Sequence, residues 1–178
     1  MVDAPTLIVT PTTLLEMSDR AAIVALCTAA FGQDFASLFD LVPPTTMHIR
    51  CFHDGRLVGH ACWAPRLLQA ADGPLLRTAY VDAVATDRDV QGRGIGSAVL
   101  GRFAEETSTY TLRALSTSRV SFYTRLGWQR WRGRVAIRTA DGLLDTPDDT
   151  ILVLPSAHTP PLDLDGLLTG EPRGGQHW

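Results

Sequence analysis

The stretch from Tyr80 to Glu106 constrains this chain more than any other part of it. Tyr80, Val81, Val84 and Thr86 favour extended backbone, and Asp87, Arg88 and Asp89 break the apolar run. Gly92, Gly94 and Gly96 then remove side chains from a short loop. Ile95, Val99 and Phe103 follow at helical spacing and predict one apolar stripe on a helix. A strand, a bare loop and a helix N-terminus with unpaired N–H groups together form a cradle for a pyrophosphate.

The spacing narrows the choice of ligand. A dinucleotide fold uses G-x-G-x-x-G, whereas here G-x-G-x-G runs into Ser97. A Walker A loop ends in Gly-Lys-Ser/Thr, and this chain has no such triplet. The order Gln91, Gly92, Arg93, Gly94, Ile95, Gly96 fits Q-x-x-G-x-G instead.

Composition sets the outer bounds. A chain of 178 residues with 45% hydrophobic content suits a single domain, expected to span residues 1–178. The net charge of −3 carries no basic nucleic-acid footprint. All 16 cationic side chains are arginine, a matter of codon bias rather than mechanism. No apolar run is long enough for a membrane span and no signal peptide is visible, so a cytoplasmic protein is expected. Cys27, Cys51 and Cys62 lack metal-site or disulfide spacing and read as small buried hydrophobes. His48, His53 and His60 match no ligand pattern, and no metal is expected.

A coarse pass predicts strands at Leu7–Thr10, Met47–His53, Arg56–Leu68, Leu75–Thr86, Thr111–Leu115, Gln129–Arg138 and Ile151–Leu154. Asp54–Gly55 and Asp72–Gly73 are the turn signals between the central strands. Helices are expected from a Ser18 cap to about Ala30, over Asp34–Leu41, after the glycine loop, and around Phe122–Tyr123. The Pro- and Gly-rich tail from Pro155 is expected to wrap the surface. Hairpin-linked strands with interspersed helices give an α+β domain around a mixed sheet.

The glycine loop, with its preceding strand and following helix, resembles the acyl-CoA loop of the GNAT N-acetyltransferases. Phe122, Tyr123, Gly127 and Trp128 resemble that superfamily's F-Y-x-x-x-G-[FW] signature. The resemblance implies a mixed, mostly antiparallel sheet of about six or seven strands with a V-shaped splay, flanked by about four helices. Further segments are similar to the aminoglycoside 2′-N-acetyltransferases along nearly the whole chain. These are FGQDF at Phe31–Phe35, Met47–His48, YVDAVA from Tyr80, TPDD at Thr146–Asp149, VLP at Val153–Pro155, and Trp178.

What the resemblance implies is specific. Acetyl-CoA is the co-substrate, held by Val84, Ala85 and Thr86 and by the loop residues Gln91, Gly92, Arg93, Gly94, Ile95, Gly96 and Ser97. Asp82 is the implied base, acting through water, and Tyr123 the implied acid for the departing thiolate. The Val84 N–H is expected to polarise the thioester carbonyl. Asp34, Asp82, Ala83, Ser116, Asp148, Asp149 and Trp178, the last through its carboxylate, are the implied sugar-site positions. Carboxylates gathered in a groove attract a polycation. Phe39 and Gln176 stand where that family has acidic residues, and Asp82 stands where it usually has Glu. The expected partner is a small cationic amine; a homodimer is compatible, and neither nucleic acid nor membrane is expected. Two other readings stay open: a GNAT enzyme for another small amine, polyamine or protein N-terminus, and a non-enzymatic acyl-CoA sensor.

Overall fold

The computed structural model describes residues 5–173 and Trp178. Two compact units emerge, Met1–Ala64 with Val81–Glu106, and Pro65–Tyr80 with Thr107–Trp178. The long strands β3 (Arg56–Ala70) and β4 (Leu75–Thr86) run through both. The fold is α+β, with ten strands in a mixed, mostly antiparallel sheet and four α-helices among the described residues.

In the first unit, β1 (Thr6–Pro11) pairs antiparallel with β2 (Met47–His53), and β2 pairs antiparallel with β3. The Asp54–Gly55 turn joins β2 to β3 as its sequence predicts. One irregularity follows. The register shifts between Cys51 and Phe52, so that Cys51 faces Gly59 and Phe52 faces Leu57. Val58 is the extra residue of a β-bulge. Three helices complete the unit: α1 (Met17–Phe31), α2 (Leu38–Leu41) and α3 (Ile95–Glu106). The predicted stripe of α3 is buried, with Ile95, Val99 and Phe103 at 6%, 0% and 0% exposure. A Cβ on Gly59 would lie 2.7 Å from Ile95 Cγ2, so only glycine lets α3 approach β3 this closely.

The second unit is an eight-strand array in the order β6–β9–β5–β4–β3–β10–β7–β8. Its members are β5 (Leu112–Ser116), β6 (Gln129–Arg130), β7 (Val135–Thr139), β8 (Gly142–Asp145), β9 (Ile151–Pro155) and β10 (Leu168–Gly170). Two pairs are parallel, β4 with β5 and β10 with β7. The short helix α4 (Val120–Thr124) carries Tyr123. Leu68, Leu76, Tyr80, Leu112, Trp131, Ile137, Leu168 and Trp178 pack into one core.

Several expectations need correction. Ser18 lies inside α1, whose N-cap is Glu16 with no side-chain bond. The expected helix over Asp34–Leu41 is only Leu38–Leu41, because Asp34 Oδ1 accepts the Ala36 N–H at 2.8 Å and makes a turn instead. The expected strand over Gln129–Arg138 breaks into β6 and β7. Between them the N–H groups of Arg132 and Gly133 both donate to the Leu164 carbonyl, which draws them out of any ladder. The tail does not merely wrap the surface. Its β10 inserts between β3 and β7, and all three of its residues are buried. Those additions, with β8, account for the larger strand count.

Candidate active site

The loop expected to hold pyrophosphate is bare and exposed. Gly92 and Gly94 have φ of +78° and +82°, and nothing lies within 4 Å of where a Cβ would stand on either. α3 starts at Ile95, directly after the loop. Gln91 Nε2 donates to the Thr86 carbonyl at 3.3 Å, fastening the loop to the end of β4. The side chains of Ile95 and Ala85 are buried, 6% and 2% exposed, so at these two expected positions only backbone is available to a ligand. Arg93 and Ser97 are exposed, and Gly96 is half-buried. A side-chain-free rim with open space above it and a helix N-terminus behind it fits a pyrophosphate.

β4 is the next piece. Ala83 sits at φ +50° in the middle of a strand, a left-handed conformation that is costly for any residue with a Cβ. Its carbonyl lies 3.0 Å from His60 Nδ1. Asp82 and Val84, on either side, are half-buried. The Asp82 carbonyl accepts from the Cys62 thiol at 3.6 Å. The parallel ladder with β5 pairs Thr78, Ala79 and Tyr80 with Leu112, Arg113 and Ala114, and β4 continues to Thr86.

Behind Ala83 lies a buried polar chain that sequence reasoning passed over. His48 Nδ1 is 3.1 Å from His60 Nε2, and His48 Nε2 is 2.9 Å from Thr12 Oγ1. Both imidazoles are 0% exposed. Burial, with Arg50 and Arg20 nearby, pushes His48 down to about 4. Burial, with the neighbouring His48, pushes His60 down to about 3. Both rings are therefore neutral at ordinary pH. With Cys62 they form the one group of metal-ligand composition among the described residues, and each already has hydrogen-bonding partners. Phe39 packs against this chain, its ring 5.5 Å from His48 and beneath Arg20.

Among the expected residues of the second unit, Tyr123 is 7% exposed and packs edge-on against Trp128 at 5.8 Å. Burial raises its phenol to about 12, with Arg119 opposing, so the hydroxyl stays protonated. Thr146 to Asp149 form a turn closed by the Asp149 N–H on the Thr146 carbonyl. Asp148 is exposed and Asp149 half-buried. Trp178 is 2% exposed and its Nε1 donates to Thr146 Oγ1 at 2.7 Å. Ser116 pairs with Ile151, two residues beyond Asp149. Ser116, the TPDD turn and Trp178 are thus brought together. Asp34, Asp82 and Ala83 belong to the first unit. Gln176 lies outside the described residues. A surface hollow of about 490 Å³, lined by Thr124, Trp128, Gln129, Arg130, Arg132 and Leu164, contains none of the expected site residues.

The register explains why the histidine chain escaped notice. Counting back from the Asp54–Gly55 turn puts His48 and His60 on opposite faces. The Val58 bulge shifts the pairing by one, so His48 faces Cys62 and shares a face with His60.

Comparisons with known proteins show the family. The model of the acetyltransferase (GNAT) domain matches residues 13–131. The chain is 30% identical over 171 residues to an aminoglycoside 2′-N-acetyltransferase of Mycolicibacterium fortuitum, covering 92% of this chain and 87% of that one. It superposes with a TM-score of 0.60 on the ribosomal-protein-S18-alanine N-acetyltransferase of Escherichia coli, at 19% identity, over 84% of this chain and 94% of that one. Escherichia coli ElaA gives 0.61 at 16% identity, over 84% and 99%. The chain belongs to the GNAT family, whose members use acetyl-CoA, and is an N-acetyltransferase.

Proposed function

We propose that the chain acetylates the 2′-amine of an aminoglycoside-like polycation, with its two units acting as one catalytic domain. The observation that carries this reading is the 2.7 Å bond from Trp178 Nε1 to Thr146 Oγ1. It joins the two segments, the TPDD turn and Trp178, that go beyond general GNAT features. The 30% identity to an aminoglycoside 2′-N-acetyltransferase supports the same substrate class. Asp34, Asp82, Asp148 and Asp149 supply the negative charge, and Ser116, Ala83 and Trp178 supply further contacts. Such an enzyme works in the cytoplasm and confers antibiotic resistance.

Acetyl-CoA supplies an activated acyl group as a thioester. Loop N–H groups from Gly92 to Ser97 hold its pyrophosphate, and the backbone of Val84 and Thr86 pairs with the pantetheine arm as a false strand. The Val84 N–H donates to the thioester carbonyl and stabilises charge developing on oxygen. Asp82 takes a proton from the ammonium through a water, its side chain being short. Tyr123 gives its proton to the departing thiolate, and burial keeps that proton in place until then.

The test is a matched pair of substrates. Kanamycin B carries a 2′-amine where kanamycin A carries a hydroxyl. Acetyl-CoA consumption is expected with the first and not the second. Equal turnover of both, or neither used while a neutral-bodied amine is acetylated, moves the function to another amine. The acidic pocket is tested with Asp148→Asn and Asp149→Asn combined, which removes the charge and keeps the size of the side chains. The expected result is a roughly tenfold to hundredfold higher KM for the amine, the loss of about 1.5–3 kcal/mol.

A further inference from the structure

The polar chain behind β4 has one wiring that gives the Ala83 carbonyl a donor, with the Cys27 thiol 3.8 Å from the same His60 nitrogen. The Ala83 carbonyl can only accept, so His60 Nδ1 donates to it at 3.0 Å. A neutral His60 then has a bare Nε2, which accepts from His48 Nδ1–H at 3.1 Å. His48 Nε2 is bare in turn and accepts the Thr12 hydroxyl proton at 2.9 Å. The Thr46 carbonyl, 3.0 Å from that hydroxyl, keeps the Thr12 N–H at 2.9 Å. Thr12 is itself held, because its carbonyl accepts from Arg20 at 2.9 Å. The reverse wiring would set a bare nitrogen against a carbonyl lone pair or require a cation at a fully buried site. The depressed basicity of both rings, caused by burial first, agrees with the neutral wiring.

The chain ends on the one strand residue of β4 in the left-handed region. Ala83 at φ +50° is unfavourable on its own and persists only if its surroundings hold it. Rotating that peptide back to extended geometry would break the His60 bond and leave a buried imidazole N–H with only the Cys27 sulfur, a weak acceptor 3.8 Å away. The next N–H along the strand is that of Val84.

We infer that Thr12, His48 and His60 are positioning residues that lock Ala83 in its left-handed conformation and so aim the Val84 N–H at the thioester carbonyl. None touches substrate. The chemistry of the lock is directional: each link donates toward the strand, and the last donor is an imidazole. This inference rests on the reading that Val84 meets the thioester, and its readouts separate the two.

The wiring is tested without any turnover. Long-range ¹H–¹⁵N NMR of the parent at pH 7 should show both imidazoles neutral and protonated on Nδ1; an Nε2–H tautomer or a cationic ring at either position overturns the lock. The function of the lock is tested with His60→Leu and His60→Asn, since the asparagine amide stands where Nδ1 stood. With kanamycin B as amine, or the best acceptor of an amine panel if kanamycin B fails, His60→Leu should lower kcat about tenfold to hundredfold, less than the roughly 100- to 1,000-fold of losing an oxyanion donor outright, because the Val84 N–H stays and only its aim relaxes. Its acetyl-CoA Kd, by calorimetry, should move less than about threefold, and His60→Asn should recover most of kcat. Parental kcat in His60→Leu, or no recovery in His60→Asn, overturns the aiming role while the NMR result stands on its own. If His60→Leu does not fold, Thr12→Val carries the test. It should leave His48 protonated on Nδ1 with an unpartnered Nε2, and kcat lower by about threefold to tenfold; an unchanged kcat overturns the role.

Discussion

The buried polar chain behind β4 in the first unit is neutral, whereas the buried polar group against the tail in the second, Arg66, is charged. Thr12, His48 and His60 pass hydrogen bonds toward backbone without a formal charge among them. In the second unit Arg66, its side chain 4% exposed, lies over Tyr80 at 4.7 Å and Trp178 at 5.4 Å, and donates to the Glu171 carbonyl at 2.7 Å. Glu171 completes an ion pair with it at 3.5 Å. The difference tracks what each arrangement holds. A neutral relay fixes the direction of one peptide, which needs geometry more than strength. A guanidinium between two aromatic faces clamps a tail onto a sheet, and cation–π contacts gain when desolvated.

That contrast can be broken in four places. The largest expected effect is at the loop of the first unit. Gly94→Val puts a branched side chain at φ +82° and into the space meant for pyrophosphate. Acetyl-CoA binding should vanish in calorimetry while the second unit keeps its fold; parental affinity would remove the loop from the coenzyme site. Next comes Trp178→Ala, which empties part of the second core and removes one aromatic face from Arg66 and the indole partner from Thr146. A cost of about 3–5 kcal/mol is expected in urea unfolding. Stability within about 1 kcal/mol of the parent would mean that the tail is ornamental.

The third test is Tyr123→Phe, which keeps the ring and removes the proton. Turnover should fall about 100-fold or more with acetyl-CoA affinity unchanged. Unaltered kcat across pH would leave Tyr123 as packing alone. The smallest effect separates neutral from charged burial directly. In the folded chain His48 titrates at about 4 and His60 at about 3, so between pH 6.5 and those values the unfolded chain holds more protons. Stability is whole above pH 6.5 and falls as the pH drops. Melts at pH 7 and pH 5 should differ by about 2 kcal/mol for each ring held neutral, and a His48→Gln/His60→Gln double variant should lose that slope. An equally stable parent at both pH values would show that these rings are not held neutral.

Much of this was legible in the sequence for identifiable reasons. Hairpin turns, the α3 stripe and the glycine loop depend on local rules of period and conformation, which a single chain displays. The three cysteines read correctly as buried, and all are. What stayed hidden depends on pairings distant in sequence. The Val58 bulge inverts the face of half a strand without any residue type that marks it. The insertion of β10 between β3 and β7 joins residues about a hundred apart, as in Leu168 with Ala70. Nothing in YVDAVA signals that Ala83 is left-handed. Trp178 stood out by resemblance, but its indole is a core element and a partner of Thr146, which no tail composition announces.

The buried thiols have a practical consequence. Cys27 is pushed up to about 12 and Cys51 is raised, both by burial, and Cys62 is 1% exposed, so none offers a thiolate to a reagent. The chain also has no lysine. Maleimide dyes therefore find a silent background. A single cysteine introduced at exposed Asp141, in the turn before β8, would carry a dye alone.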